Sequence, residues 1–186
     1  MSNFSLHRRK VLRGLGGLGW AGVPGMALLH ASRALAAPVQ HAGASQPFDY
    51  AWLKGQARAR AAAPYHAPEE TLPASLKHLD WDQYQAIGFR SDHALWAGKH
   101  LPFEIGFFHL GLNFKTPVRM YEVAGGQARR IAFDPSMFEY GKSGVDGSQF
   151  PPQLDFAGFR VFSQTDLKRD IAAFLGASYF RAVGGD

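Results

Sequence analysis

Residues 14–19, Gly14-Leu15-Gly16-Gly17-Leu18-Gly19, carry the G-x-G-x-x-G spacing that lets a backbone approach a dinucleotide pyrophosphate. That chemistry needs a buried strand before the glycines and an acidic residue about 20 positions later for the ribose. Only Val11, Leu12 and Arg13 separate the glycines from the basic run Arg8-Arg9-Lys10, and no Asp or Glu precedes Asp49. The glycines are therefore not read as a nucleotide site. Gly141-Lys142-Ser143 resembles the end of a phosphate-binding loop, but Ser136 stands where that loop needs its first glycine, so it is read as a loop. No cofactor is expected.

His93, His100 and His109 invite a metal reading, yet they are spaced without a helical His pair and the chain has no cysteine to complete a tetrahedral site. No metal is expected, and His109, at the end of an apolar run, is read as a hydrogen-bonded wall residue. The carboxylates Asp80, Asp82, Asp92 and Glu104 are the local group from which a glycosidic acid–base pair would have to come. Asp80 stands where a helix begins and reads as a cap. Trp81, Tyr84, Trp96 and the run Tyr179-Phe180-Arg181 combine ring faces with polar tips. Core packing accounts for any one of them, and as a group they could offer stacking platforms. Trp96, Tyr179 and Arg181 are the candidates for sugar contact: the rings stack on a pyranose face and the guanidinium donates to hydroxyls.

These side chains must be positioned by the elements around them. Phe48, Trp52, Leu53 and Ala57 recur at helical spacing in an Ala-rich run that Pro64 ends, so a helix is expected over 48–63. Residues 64–73 contain three prolines and read as an extended connector, and 75–84 as one or two helical turns. Thereafter the apolar period falls toward two. Short strands are expected over 87–90, 102–110, 118–123, 128–133, 137–140, 159–162 and 178–183. Gly125-Gly126 turns one hairpin, and Phe103, Ile105 and Phe107 share a face. Residues 141–153 read as loop, and Leu167, Ile171 and Phe174 give 166–174 a helical spacing. Residues 102–140 leave no room for crossover helices, so the fold class is mainly β, an antiparallel sandwich with short flanking helices.

The charge distribution is asymmetric. Residues 1–36 hold Arg8, Arg9, Lys10, Arg13 and Arg33, five of the 20 basic residues, and none of the 15 acidic ones. Removing them leaves 15 against 15 and no positive surplus for binding nucleic acid. The basic cluster, a Gly-rich apolar stretch to Leu29 and the small-residue site Ala34-Leu35-Ala36 form an export signal, with Arg8 and Arg9 pointing to the twin-arginine machinery and a periplasmic destination. Pro24 interrupts the apolar stretch, so no stable membrane span is expected. The organisation read from these features is a signal over 1–36, a flexible leader over 37–47 (APVQHAGASQP) and a β domain over 48–186.

Several separated blocks resemble one family. They are FDYAWLKGQAR (48–58) with APY (63–65), LPFEIGFFHLGLNFKTPVRMYEV (101–123), FAGFRVF (156–162) and LGASYFRAVGG (175–185). The chain resembles the periplasmic glucans biosynthesis protein D/G family. The resemblance implies a large amino-terminal β-sandwich with a long cleft, followed by a smaller immunoglobulin-like domain. It also implies a role in osmoregulated periplasmic glucans, polymers with a β-1,2-linked glucose backbone. Hydrolysis of that backbone is implied for full-length members, with catalytic acids beyond Asp186. Residues 48–186 would then be an incomplete amino-terminal sandwich. Two further readings stand beside the enzyme: a non-catalytic glucan-binding scaffold, and a truncated fragment without independent activity.

The protein recovered from the periplasm is expected to begin at Ala37. An intact mass that retains residues 1–36 would overturn the signal reading.

Overall fold

A computed structural model describes residues 36–69, 71–163, 166–176 and 178–184. Arg8, Arg9 and Ala34 of the expected signal lie outside the described residues, and Ala36 is exposed.

The first strand, β1 (His41–Pro47), precedes α1 (Tyr50–Ala62), α2 (Ala74–Lys77), α3 (Trp81–Gln85) and β2 (Gly88–Phe89). There follow β3 (Phe103–Phe108), β4 (Tyr121–Ala124), β5 (Gln127–Ile131), β6 (Phe138–Glu139), β7 (Gly158–Ser163), β8 (Asp166–Leu175) and β9 (Tyr179–Ala182). They form sheets of order β1-β5-β4, β2-β6 and β3-β7-β8-β9, with every strand pair antiparallel. The mainly antiparallel β class with short helices is as the sequence predicts.

Local chemistry explains the helix starts. Asp49 caps α1, accepting from the Trp52 amide at 2.6 Å. Asp80 and Gln83 form a reciprocal capping box on α3, as read for Asp80. Ala63 closes α1 in extended geometry before Pro64, which favours extended backbone in the residue ahead of it. The expected apolar stripe of α1 is not buried: Trp52 and Leu53 line a groove against Tyr121 and Val123 and remain partly exposed.

Two expectations are corrected. Residues 37–47 are no free leader. Ala37 donates to the Asp92 carbonyl at 2.9 Å, and β1 pairs with β5 from His41↔Ile131 to Pro47↔Gln127, across an irregularity between Ala42 and Gln46. A short polar edge strand with such a bulge has no alternation to read. Residues 166–174 are strand, not helix. Both edges of β8 are paired, to β7 and β9, and two register shifts opposite Val161–Ser163 break its period of two. Those shifts give an extended segment a helix-like apolar spacing.

The core gathers where β3 and the chain before β7 meet the short β2-β6 sheet. Phe107 stacks on Phe156 with centroids 4.4 Å apart, while Phe89, Phe133 and Phe138 pack around them. Phe103, Ile105 and Phe107 do share a face of β3, but only Phe107 is fully buried and Phe103 is 44% exposed. On the opposite face Glu104 is buried, as is Gly106. Arg130 clamps Asp155 with two bonds of 2.7 and 2.6 Å, tying β5 to the segment that enters β7.

Gly158 lies where a Cβ would stand 2.0 Å from the Phe174 carbonyl oxygen on β8. Gly158→Ala is expected to force the two strands apart and destabilise the domain by about 3 kcal/mol or more. A thermal melt within a degree or two of the parent would show that the approach is not needed.

Candidate functional site

The register of the four-stranded sheet sets side chains in rows. Gly106, Arg160, Ala173 and Arg181 face one another in turn across β3, β7, β8 and β9. Two residues along, on the same face by strand alternation, runs the row Phe108, Gly158, Leu175 and Tyr179. The face therefore brings Tyr179 and Arg181 together with Arg160. Tyr179 is 51% exposed, and Arg181 donates to the Asp170 carboxylate at 2.6 Å, which raises the Arg181 pKa.

Arg160 is set differently. Its guanidinium carbon lies 4.2 Å from the Phe108 ring centroid and 5.7 Å from that of Phe162. Its Nε is buried without a hydrogen-bond partner. Burial holds its pKa below the ordinary arginine value, opposed by the Asp170 charge. A Cβ on Gly106 would come within 2.8 Å of Phe162 and 3.0 Å of Phe89, so only glycine leaves these rings room.

A cavity of about 430 Å³ opens beside Arg160, with Tyr84, Gln85, Phe89, Phe108 and His109 among its lining. This volume is within the range of small-ligand pockets. The Tyr84 hydroxyl donates to the His109 carbonyl at 2.9 Å, and burial raises its pKa. His109 is 3% exposed and set among Phe133, Phe138, Tyr140 and Phe150. Its Nδ1 lies 2.7 Å from the Leu110 carbonyl, which only accepts, so Nδ1 carries the proton. Nε2 then accepts from the Tyr140 hydroxyl at 3.3 Å. Burial lowers the His109 pKa to about 4, against the hydrogen bond to Leu110. His109 is thus the neutral, hydrogen-bonded wall that its sequence position predicts.

Trp96 belongs elsewhere. Leu95, beside it, pairs with Ile105 on the edge of β3 away from β7, so Trp96 and β9 lie at opposite edges of the sheet. Four strand spacings put them roughly 20 Å apart. Trp96 has a φ of 71°, and its Nε1 donates to Glu122 at 2.9 Å. Glu122 also meets His41 at 2.9 Å and Arg129 at 3.4 Å. Burial works against the Glu122 charge, but the bonds from Trp96 and His41 and the His41 and Lys99 charges outweigh it and lower its pKa. This cluster lines a separate cavity of about 230 Å³ with Ala36, Ala37 and Val39.

The remaining candidates are dispersed. Asp92 is held by Arg90 at 2.8 Å and by His93 at 3.0 Å, and these hydrogen bonds drive its pKa far below the carboxylate range. His93 and His109 therefore serve different partners, and no group of three His, Cys, Asp or Glu among the described residues is placed to hold a metal ion. Gly141–Ser143 is a single helical turn, with Ser143 buried and its Oγ accepting from the Val145 amide at 3.1 Å. Sequence reasoning missed Arg160. Its signal was a lone cation inside the otherwise apolar run FAGFRVF. Glu122, flanked by Tyr121 and Val123, carried no comparable signal.

A sheet face bearing arginines and aromatic rings beside an aromatic-walled cavity is suited to a polar ligand with flat apolar faces. The sequence model of the family described as "Periplasmic glucan biosynthesis protein, MdoG" matches residues 48–186, and the chain belongs to this family. It is 56% identical over 180 residues to glucans biosynthesis protein D 1 of Ralstonia nicotianae, covering 97% of this chain and 33% of the relative. It is 57% identical over 147 residues to glucans biosynthesis protein D of Xylella fastidiosa strain M23, covering 79% and 28%. Against glucans biosynthesis protein D of Xanthomonas campestris pv. campestris strain B100 it is 53% identical over 170 residues, covering 91% and 31%. The chain thus spans about a third of the length of the curated relatives it matches.

The His109 environment carries a pH dependence. A histidine kept neutral by folding contributes stability that is complete above its unfolded pKa near 6.5 and is lost as pH falls toward about 4. The loss is expected to be on the order of 3 kcal/mol. His109→Gln should flatten the stability profile between these pH values. Denaturant midpoints that fall equally for parent and variant would sink this assignment.

Proposed function

We propose that this chain is the amino-terminal part of a periplasmic protein of osmoregulated glucan biosynthesis, handling a β-1,2-linked glucose backbone. The observation that carries the reading is family membership over 48–186, joined by relatives named glucans biosynthesis protein D. The family description supports a periplasmic location, and no helix among the described residues is long and apolar enough to cross a membrane. Export by the twin-arginine machinery, with Arg8 and Arg9 as its signal and Ala34 and Ala36 at the cleavage site, completes the proposal.

Tyr179 and Arg181 are proposed as sugar contacts on the face they share with Arg160, the ring stacking on a pyranose and the guanidinium donating to hydroxyls. Trp96 is proposed as a second, separate contact, reached through the cavity that it lines with Glu122. Hydrolysis of the backbone, in this reading, uses acids beyond Asp186.

Linear β-1,2-glucan titrated into the full chain is the test. Tyr179→Ala is expected to weaken binding about three- to tenfold with an unchanged melting temperature. Unchanged affinity removes Tyr179 from the contact surface. Binding with release of new reducing ends places hydrolysis within this chain, and binding without release leaves a glucan-holding role for it. Absence of both overturns the reading for residues 1–186.

A further inference from the structure

We infer that the cavity beside Arg160 is a binding site for an oxyanion, a carboxylate or a phosphate group. The inference stands on the cavity's own charge and geometry and not on the glucan reading. Among the residues lining the cavity, Arg160 is the single formal charge: no Asp or Glu is among them, and His109 is neutral. The carboxylate that acts on Arg160 from a distance, Asp170, is already engaged by Arg181 at 2.6 Å. The buried Arg160 Nε has no hydrogen-bond partner among the described residues. Arg160 is partly withdrawn from water with its Nε buried, and a cation so placed without a bonded counter-charge is disfavoured. The Phe108 ring offsets only part of that. The balance favours an occupant that carries negative charge.

The lining also says what shape that occupant has. A guanidinium donates in a planar fork that matches two oxygens of a carboxylate or phosphate at once. Phe108 holds the guanidinium carbon 4.2 Å from its ring centroid, at the border of the cavity that both residues line. Gln85 lines the same cavity, is exposed, and supplies a neutral amide donor. Phe89, Phe138 and Phe162 form an apolar wall that lowers the local dielectric and strengthens a charged contact. A volume of about 430 Å³ admits the anion together with the small organic group that bears it.

Inorganic phosphate and acetate are titrated into the full chain at constant ionic strength, with sodium chloride as the reference. Saturable stabilisation beyond that of chloride is expected. Arg160→Met should weaken it about tenfold or more, whereas Arg58→Met, the same loss of charge on the exposed face of α1, should leave it within about twofold. Preference for phosphate assigns a phosphate ester, and preference for acetate assigns a carboxylate. A response no greater than that of chloride, or equal responses in parent and Arg160→Met, overturns the site. The parent protein gives an independent readout should Arg160→Met not fold. Modification of Arg160 by phenylglyoxal, located by peptide mass, should slow severalfold in the preferred anion and not in chloride, and equal rates overturn the proposal.

Discussion

The stack of Phe107 on Phe156, with both rings out of water and centroids 4.4 Å apart, is the contact on which the rest of the described structure depends. Phe107 belongs to β3, the first strand of the four-stranded sheet, and Phe156 lies two residues ahead of β7, its second. Their packing sets the approach of the two strands before any ladder bond is counted. Phe138 joins from the β2-β6 sheet and Phe133 from the chain just past β5, so one aromatic cluster holds segments that are far apart in sequence. Each such ring pair contributes about 0.5–1.5 kcal/mol beyond its burial. In a chain without cysteines, no disulfide shares that role.

Polar groups inside this frame are almost all answered. Asp155 meets Arg130, Asp92 meets Arg90 and His93, Glu122 meets Trp96 and His41, and Asp170 meets Arg181. Asp155 joins β5 to the chain ahead of β7 and Glu122 joins β4 to β1 and the Trp96 turn, whereas the Asp170 pair reinforces the β8-β9 ladder and the Asp92 pairs stiffen their own turn. Trp96 and Asp155 themselves stand at positive φ. Arg160 is the departure from this pattern. Its guanidinium lies against aromatic faces with no carboxylate among the described residues bonded to it in an ion pair, and it borders the cavity of about 430 Å³.

The two clusters of interest occupy opposite edges of one sheet. Trp96 and Glu122 sit beside the segment that follows the expected signal, whereas Tyr179 and Arg181 sit on the last described strand. Roughly 20 Å separates them by strand count.

By itself the sequence determined what depends on near neighbours. The Gly125-Gly126 hairpin, the strands over 102–110 and 159–162, the Asp80 cap and the wall role of His109 all follow from turn chemistry, alternation and capping within a few residues. The family was also legible, because its blocks are contiguous runs that folding does not alter. Tertiary structure alone decided the rest. β1 exists because β5 offers its edge, and β8 is extended despite its spacing because neighbours pair it on both sides. The same register placed Arg160, Ala173 and Arg181 in one row and carried Trp96 away from them. Pairing across a sheet is set by long-range contacts and bulges, and a one-residue slip turns every side chain to the other face. No local pattern in the chain encodes which strands will meet, so the company that Arg160 keeps could be found only in the folded protein.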